Sequence, residues 1–225
     1  MTAASAAGAQ GRIGPNAVIR LAEALEAVEG HAAASGVFRA SRLEHYLEVP
    51  PTGMVAEDEV ATLHGELHQA LGDRRARSVA WIAGQRTADY LLAHRIPAPA
   101  QRLLKALPAG LASRLLLVAI GRNAWTFVGT GQFTAMPGTP VVVSIADCPL
   151  CRHARSPVPY CEFYAATFER LFAQLVHPQS RAVETACRAM GASACRFEIA
   201  WSRRRPANRR GHDAGELTNL ARPPR

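Results

Sequence analysis

The chain has 225 residues, of which 48% are hydrophobic, and a formal net charge of +8. That length supports one sizeable core, as a single domain or a domain with a helical extension; no apolar stretch of about eighteen residues runs without a charge or a breaker, so the chain reads as soluble. The charge suggests nucleic acid, but residues 202–225 hold seven arginines against Asp213 and Glu216 and contribute +5 of it. Without interleaved aromatics this segment reads as a solvated, disordered tail with no specific nucleic-acid partner.

The first residues are small and polar and lack the basic-then-apolar order of a secretory signal. A cytoplasmic location is expected, peripheral to the membrane at most. Thiols stay reduced there, so five cysteines, all between positions 148 and 195, point to metal or redox chemistry rather than disulfides.

Residues 1–12 are expected to be disordered. From Asn16, the residues Val18, Leu21, Ala22, Leu25 and Val28 recur at helical spacing up to Gly30. A short amphipathic piece follows at 37–47, stopped by Pro50 and Pro51. Val60, Leu63, Leu67 and Leu71 predict a helix over 56–71 that ends at Gly72, and Val79, Ile82, Ala83, Tyr90 and Leu91 predict another over 74–94. Residues 13–74 thus form a helical N-terminal extension. Segments 103–107 and 111–120 read as a helical pair broken around Pro108.

The pattern changes at Asn123. Residues 125–134 and 140–146 are rich in aromatic and β-branched residues and read as strands joined by a turn at Met136-Pro137-Gly138-Thr139. A helical stripe from Tyr160 to Val176 and a closing hairpin of 182–188 with 194–201 complete the order. Helices first and strands grouped late predict an α+β fold with helices packed on an antiparallel sheet.

Three cysteines and a carboxylate, Cys161, Glu184, Cys187 and Cys195, are placed to collect one tetrahedral ion. The hairpin brings Glu184, Cys187 and Cys195 together. An offset of three residues on a strand reverses the face, so the spacing of Glu184 and Cys187 requires a bulge or turn near Ala186. Three thiolates and a carboxylate around a divalent ion leave two negative charges, which Arg188, Arg196 or backbone N–H groups are expected to offset. The competing reading is small buried core cysteines.

This constellation, Glu184-x-x-Cys187 followed by Gly191 and Cys195-Arg196-Phe197 and preceded by Cys161 on an aromatic helix, resembles the 4-vinyl-reductase domain family. That family is shared by small tetrapyrrole-pathway proteins and by aromatic-sensing domains of bacterial transcription activators. The resemblance covers residues 75–201. It implies the α+β ligand-binding fold of nitric-oxide-signalling and Golgi-transport domains, commonly dimeric, with Cys161, Glu184, Cys187 and Cys195 as ligands of a structural zinc. Among stand-alone members, the chain is most similar to the bacteriochlorophyll-biosynthesis branch. What this implies is a protein that binds a magnesium tetrapyrrole of the chlorophyllide type, alongside other pathway enzymes, and serves 8-vinyl (4-vinyl) reduction or intermediate handover. A histidine or another donor would meet the magnesium, and arginines the propionate. No nicotinamide or flavin fingerprint accompanies the implied reductase activity, so whether the chain is an enzyme stays open. The alternative is a non-enzymatic, zinc-containing sensor or carrier of a small aromatic or lipid-like ligand.

Cys148 and Cys151 form a CxxC followed by Arg152 and His153, a second metal or redox pair; an iron–sulfur cluster drawing on the five thiols competes with zinc. Trp125, Phe127, Phe133, Phe163 and Phe168 are core aromatics that also serve as candidates to line a ligand pocket. His64 and His68 share one helix face without the HExxH pattern and are assigned to a solvated surface. Gly129-Thr130-Gly131 gives no nucleotide-binding fingerprint.

Overall fold

The computed structural model describes residues 11–201. The opening strand β1 (Arg12–Ile13) pairs antiparallel with β2 (Val55–Ala56), and between them lie α1 (Asn16–Glu29), α2 (His31–Ala40) and α3 (His45–Glu48). Then come α4 (Glu57–Leu71), α5 (Asp73–His94), α6 (Ala98–Ala106), α7 (Ala109–Arg122) and the single turn α8 (Trp125–Val128). Strands β3 (Gln132–Met136) and β4 (Val141–Ala146), helix α9 (Glu162–Leu175) and strands β5 (Arg181–Ala186) and β6 (Ala194–Ala200) complete the described chain. The basic tail at 202–225 and residues 1–10 lie outside the described residues.

The α+β expectation holds. Strands β3, β4, β6 and β5, in that spatial order, make one antiparallel sheet. Alternation sends Val141, Val143 and Ile145 of β4 and Cys195, Phe197 and Ile199 of β6 to the inner face, where all six are fully buried. Helix α9 covers that face with Phe168, Phe172 and Leu175, and α5 lies across α9. The crossing is close because position 84 is glycine: a Cβ there would stand 2.9 Å from the Ala166 Cβ and collide with the Phe163 carbonyl oxygen. Thr167 Oγ1 spans the same crossing, donating to Gly84 O and Phe163 O. Helix α1 packs on α5 and α4 on the segment around Cys151, so residues from both ends of the described chain share one core.

Two expectations need correction. Residues 125–134 are not one strand: Trp125–Val128 is a helical turn closed by Phe127 N–H to Ala124 O, and the chain reverses through Gly129 to Gly131 before pairing begins at Gln132 with Ala146. Strand-prone side chains yield here to a turn that the sheet edge imposes. The piece expected at 37–47 splits into the end of α2 and the single turn α3, with Arg42 at φ 60 between them.

Candidate metal centre

All five cysteines are free thiols, buried, and converge on one point. Cys161 Sγ lies 3.7 Å from Cys148 Sγ and 3.7 Å from Cys195 Sγ; Cys195 Sγ lies 3.3 Å from Cys151 Sγ and 3.8 Å from Cys187 Sγ. They come from four different features of the fold. Cys148 and Cys151 flank the 3-10 turn Pro149–Cys151 after β4, Cys161 stands at the mouth of α9, Cys195 enters β6, and Cys187 follows β5. The CxxC pair is therefore not a separate site but part of the same cluster.

Glu184 faces the cluster by the device its spacing demands. On β5, Glu184 opposes Phe197 and Ala186 opposes Arg196, so Thr185 is an extra residue, and this bulge turns both Glu184 and Cys187 inward. The Glu184 Oε2 atom accepts the N–H groups of Tyr160 (3.1 Å) and Cys161 (2.8 Å), capping α9; its Oε1 atom is buried with no partner. Burial pushes the Glu184 carboxyl above the ordinary carboxylate range, against the Cys161 N–H bond that pulls it down. Burial likewise raises the Cys148 and Cys161 thiols. Cys151 moves the other way, because the thiols of Cys148, Cys161, Cys187 and Cys195 all donate toward it.

Two four-residue sets have ligand atoms within 4.8 Å of one another: Cys148, Cys151, Cys161, Cys195 and Cys161, Glu184, Cys187, Cys195. Thiolates about 2.3 Å from a tetrahedral zinc stand about 3.8 Å from one another, which matches the separations of three of these sulfur pairs. The charge of such a site is met in part by the backbone: Arg188 N–H points at Cys195 Sγ at 3.5 Å, and the N-terminus of α9 faces Cys161. The guanidinium groups turn elsewhere, Arg188 to Asp147 and Arg196 to Glu198.

Around the cluster stands a buried polar shell, some of whose members carry no distinguishing mark in the sequence. Glu57, 2% exposed, accepts Thr130 N–H at 2.9 Å, Thr130 Oγ1–H at 2.7 Å and the Arg152 guanidinium at 2.5 Å. Burial raises its pKa, but the Arg152 and Thr130 hydrogen bonds outweigh burial and hold the carboxyl below the usual range. Arg152 directly follows Cys151, so this pair sets the position of the CxxC turn. His64 and His68 are 1% and 9% exposed, which corrects their assignment to a solvated face: α4 presents them inward, where His68 stacks on Tyr160 (3.9 Å between centroids) and His64 meets Phe163 edge-on. Tyr160 OH donates to His64 O, and the Nε2 atoms of both histidines lack a partner.

The aromatic candidates divide. Phe163 and Phe168 are buried, Phe127 and Phe133 are half-buried and meet edge-on at 5.7 Å, and Trp125 is 63% exposed. The four phenylalanines form a filled wall rather than an open pocket. The openings lie elsewhere. A groove of about 240 Å³ between the start of α7 and the β3–β4 turn is lined by Leu111, Arg114, Pro137 and Thr139. Another, of about 600 Å³, runs along α5 past Arg74, Arg77, Trp81 and Glu162. Beside the first groove, Leu111, Leu115 and Val118 form an exposed apolar stripe on α7 at helical spacing.

Comparison with known proteins places this arrangement. Residues 141–200, which carry every cysteine of the cluster and Glu184, match the 4-vinyl-reductase domain. Solved structures with the same overall fold include an Fe(II) unliganded H-NOX protein mutant from K. algicida (TM-score 0.56, 14% identity, 85% of this chain and 98% of that one). Another is an H-NOX structure that probes the function of heme distortion in that family (TM-score 0.54, 10% identity, 84% and 95%). The fold and site thus define a 4-vinyl-reductase-domain protein built on the H-NOX architecture. More particularly, it is 44% identical over 188 residues to the bacteriochlorophyll synthase 23 kDa chain of Cereibacter sphaeroides, covering 84% of this chain and 90% of that one. The identity to its Rhodobacter capsulatus counterpart is 37%, covering 84% and 86%. The chain belongs to the family of these 23 kDa chains.

Proposed function

We propose that the protein acts in bacteriochlorophyll biosynthesis as a zinc-stiffened domain that holds a magnesium tetrapyrrole intermediate for 8-vinyl reduction or for handover between pathway enzymes. The observation that carries the reading is the 44% identity, along nearly the whole length of both chains, to a protein named for bacteriochlorophyll synthase. The heme of an H-NOX fold neighbour adds that this architecture accommodates a porphyrin elsewhere. The residues lend support in two places. Cys161, Glu184, Cys187 and Cys195, with Cys148 and Cys151 beside them, fit zinc in sulfur spacing and in the unpartnered Glu184 Oε1. The thiols touch one another, whereas cysteines around an iron–sulfur cluster bind different irons and are held apart by the cluster core, which favours a bare ion. Zinc bound by four protein ligands supplies a cross-link rather than a reaction centre, since no coordination position is left for substrate.

The tetrapyrrole would lie against α7. Leu111, Leu115 and Val118 offer an apolar face for a flat macrocycle, and Arg114 at the groove mouth offers a cation to a propionate. Any reductive step draws its electrons from a partner enzyme. Absorbance titration with divinyl chlorophyllide and magnesium protoporphyrin tests the reading: wild type gives a saturable Soret shift, and Leu115→Asp or Arg114→Ala weakens it at least about tenfold. No shift with either pigment removes tetrapyrrole binding from the proposal. Retention of a small aromatic compound instead would favour the sensor or carrier reading.

A further inference from the structure

A single tetrahedral ion uses four of the six donors that converge here and leaves two stranded. If it takes Cys148, Cys151, Cys161 and Cys195, the Cys187 thiol and the Glu184 carboxyl stay buried against it; if it takes the other set, Cys148 and Cys151 do. Both sets contain Cys161 and Cys195, whose sulfurs are 3.7 Å apart at the centre of the cluster. Resting on the zinc reading above, we propose that the centre is dinuclear. Cys161 and Cys195 bridge two divalent thiophilic ions, one completed by Cys148 and Cys151 and the other by Glu184 and Cys187.

Charge supports this count. One divalent ion with four thiolates carries two negative charges. A second divalent ion that enters with the Cys187 thiolate and the Glu184 carboxylate adds equal positive and negative charge, so the net charge is unchanged. It also supplies the partner that Glu184 Oε1 lacks. The same neutrality holds if the Glu184 side fills first and Cys148 and Cys151 follow. Geometry supports it as well. Each bridging residue has neighbours on both sides: Cys195 contacts Cys151 on one and Cys187 on the other, and Cys161 contacts Cys148 through its sulfur while its backbone N–H is bonded to Glu184. The two bridging residues also carry the donors suited to a crowded anionic centre, the α9 N-terminus at Cys161 and the Arg188 N–H at Cys195.

Native mass spectrometry of the full chain, purified with zinc and stripped of loosely held ions on a weak chelator, counts the metal directly. Two zinc ions per chain are expected. One ion overturns the dinuclear centre and leaves the zinc reading standing; none overturns both. In cadmium-exchanged wild type, NMR should show two cadmium resonances coupled through shared sulfur, and two uncoupled resonances would overturn the bridges. The pair Cys148→Ser with Cys151→Ser, and separately Glu184→Gln with Cys187→Ser, should each retain one ion. Should either pair fail to fold, the wild-type count and coupling decide.

Discussion

At the scale of single residues, His64 has the clearest measurable consequence. Burial, with His68 beside it, pushes its pKa down to about 3, whereas an unfolded histidine protonates near about 6.5. Below that value the unfolded chain takes up a proton that the native chain refuses. Stability therefore falls as pH drops from about 6.5 toward 3, by up to about 1.4 kcal/mol per pH unit. Urea unfolding of wild type and His64→Leu at pH 7 and about pH 5.5, with metal content monitored, should show the variant losing about 1 kcal/mol less over that interval; an equal loss in both would contradict the assignment. The burial of His64 is legible in the sequence once periodicity is set above polarity. Val60, Leu63, His64, Leu67, His68 and Leu71 are spaced as one broad helical stripe, and only residue polarity argues for solvent. Glu57 gives no such signal. An acidic residue opening a helix is ordinary dipole chemistry, and its partner Arg152 is 95 positions away.

At the scale of elements, the α5–α9 crossing is the joint that aims Cys161 at the other sulfurs. Gly84→Ala forces a methyl against the Phe163 carbonyl and Ala166, which should destabilise by about 2 kcal/mol and lower metal retention with it. Gly36→Ala is the opposite case: nothing stands within 4 Å of its added methyl, and in α2 it should stabilise by about 0.5 kcal/mol. Denaturation midpoints of the two variants should move in opposite directions. The long helices are legible because a 3.6-residue period survives any packing partner; α4 and α5 begin within a residue of their expected starts and end where expected. The hairpin is legible down to its bulge, since Glu184 and Cys187 cannot otherwise share a face. Trp125–Val128 is not, because strand preference describes a side chain's fit to a sheet, and the sheet edge is made by residues far along the chain. That the CxxC turn joins the other three cysteines is equally invisible, since sequence spacing carries no information about the turn that Arg152 anchors.

For the whole molecule, the centre ties the turn after β4, helix α9 and the β5–β6 hairpin at one point, so metal and fold should be lost together. Cys195→Ser, or a strong chelator, should lower stability by at least about 4 kcal/mol, about 10 °C in melting temperature for a chain of this size. Cys187→Ser should cost less but also release metal; calorimetry paired with elemental analysis reads both, and full metal retention in both variants would refute the assignment. Among the described residues no helix is long and apolar enough to cross a membrane, so this stability rests on packing and the sulfur cluster. The buried ion pair of Glu57 with Arg152 bears on how the molecule is made. Its partners leave the ribosome 95 residues apart, as do Tyr160 and the His64 carbonyl at 96. Helices α1 to α4 are therefore synthesised well before the groups that satisfy their buried side, and they wait as an unfinished surface until the CxxC turn and α9 emerge. A newly made chain thus acquires its metal as one of the last events of folding, and cells short of zinc would accumulate long-lived helical intermediates rather than unfolded protein.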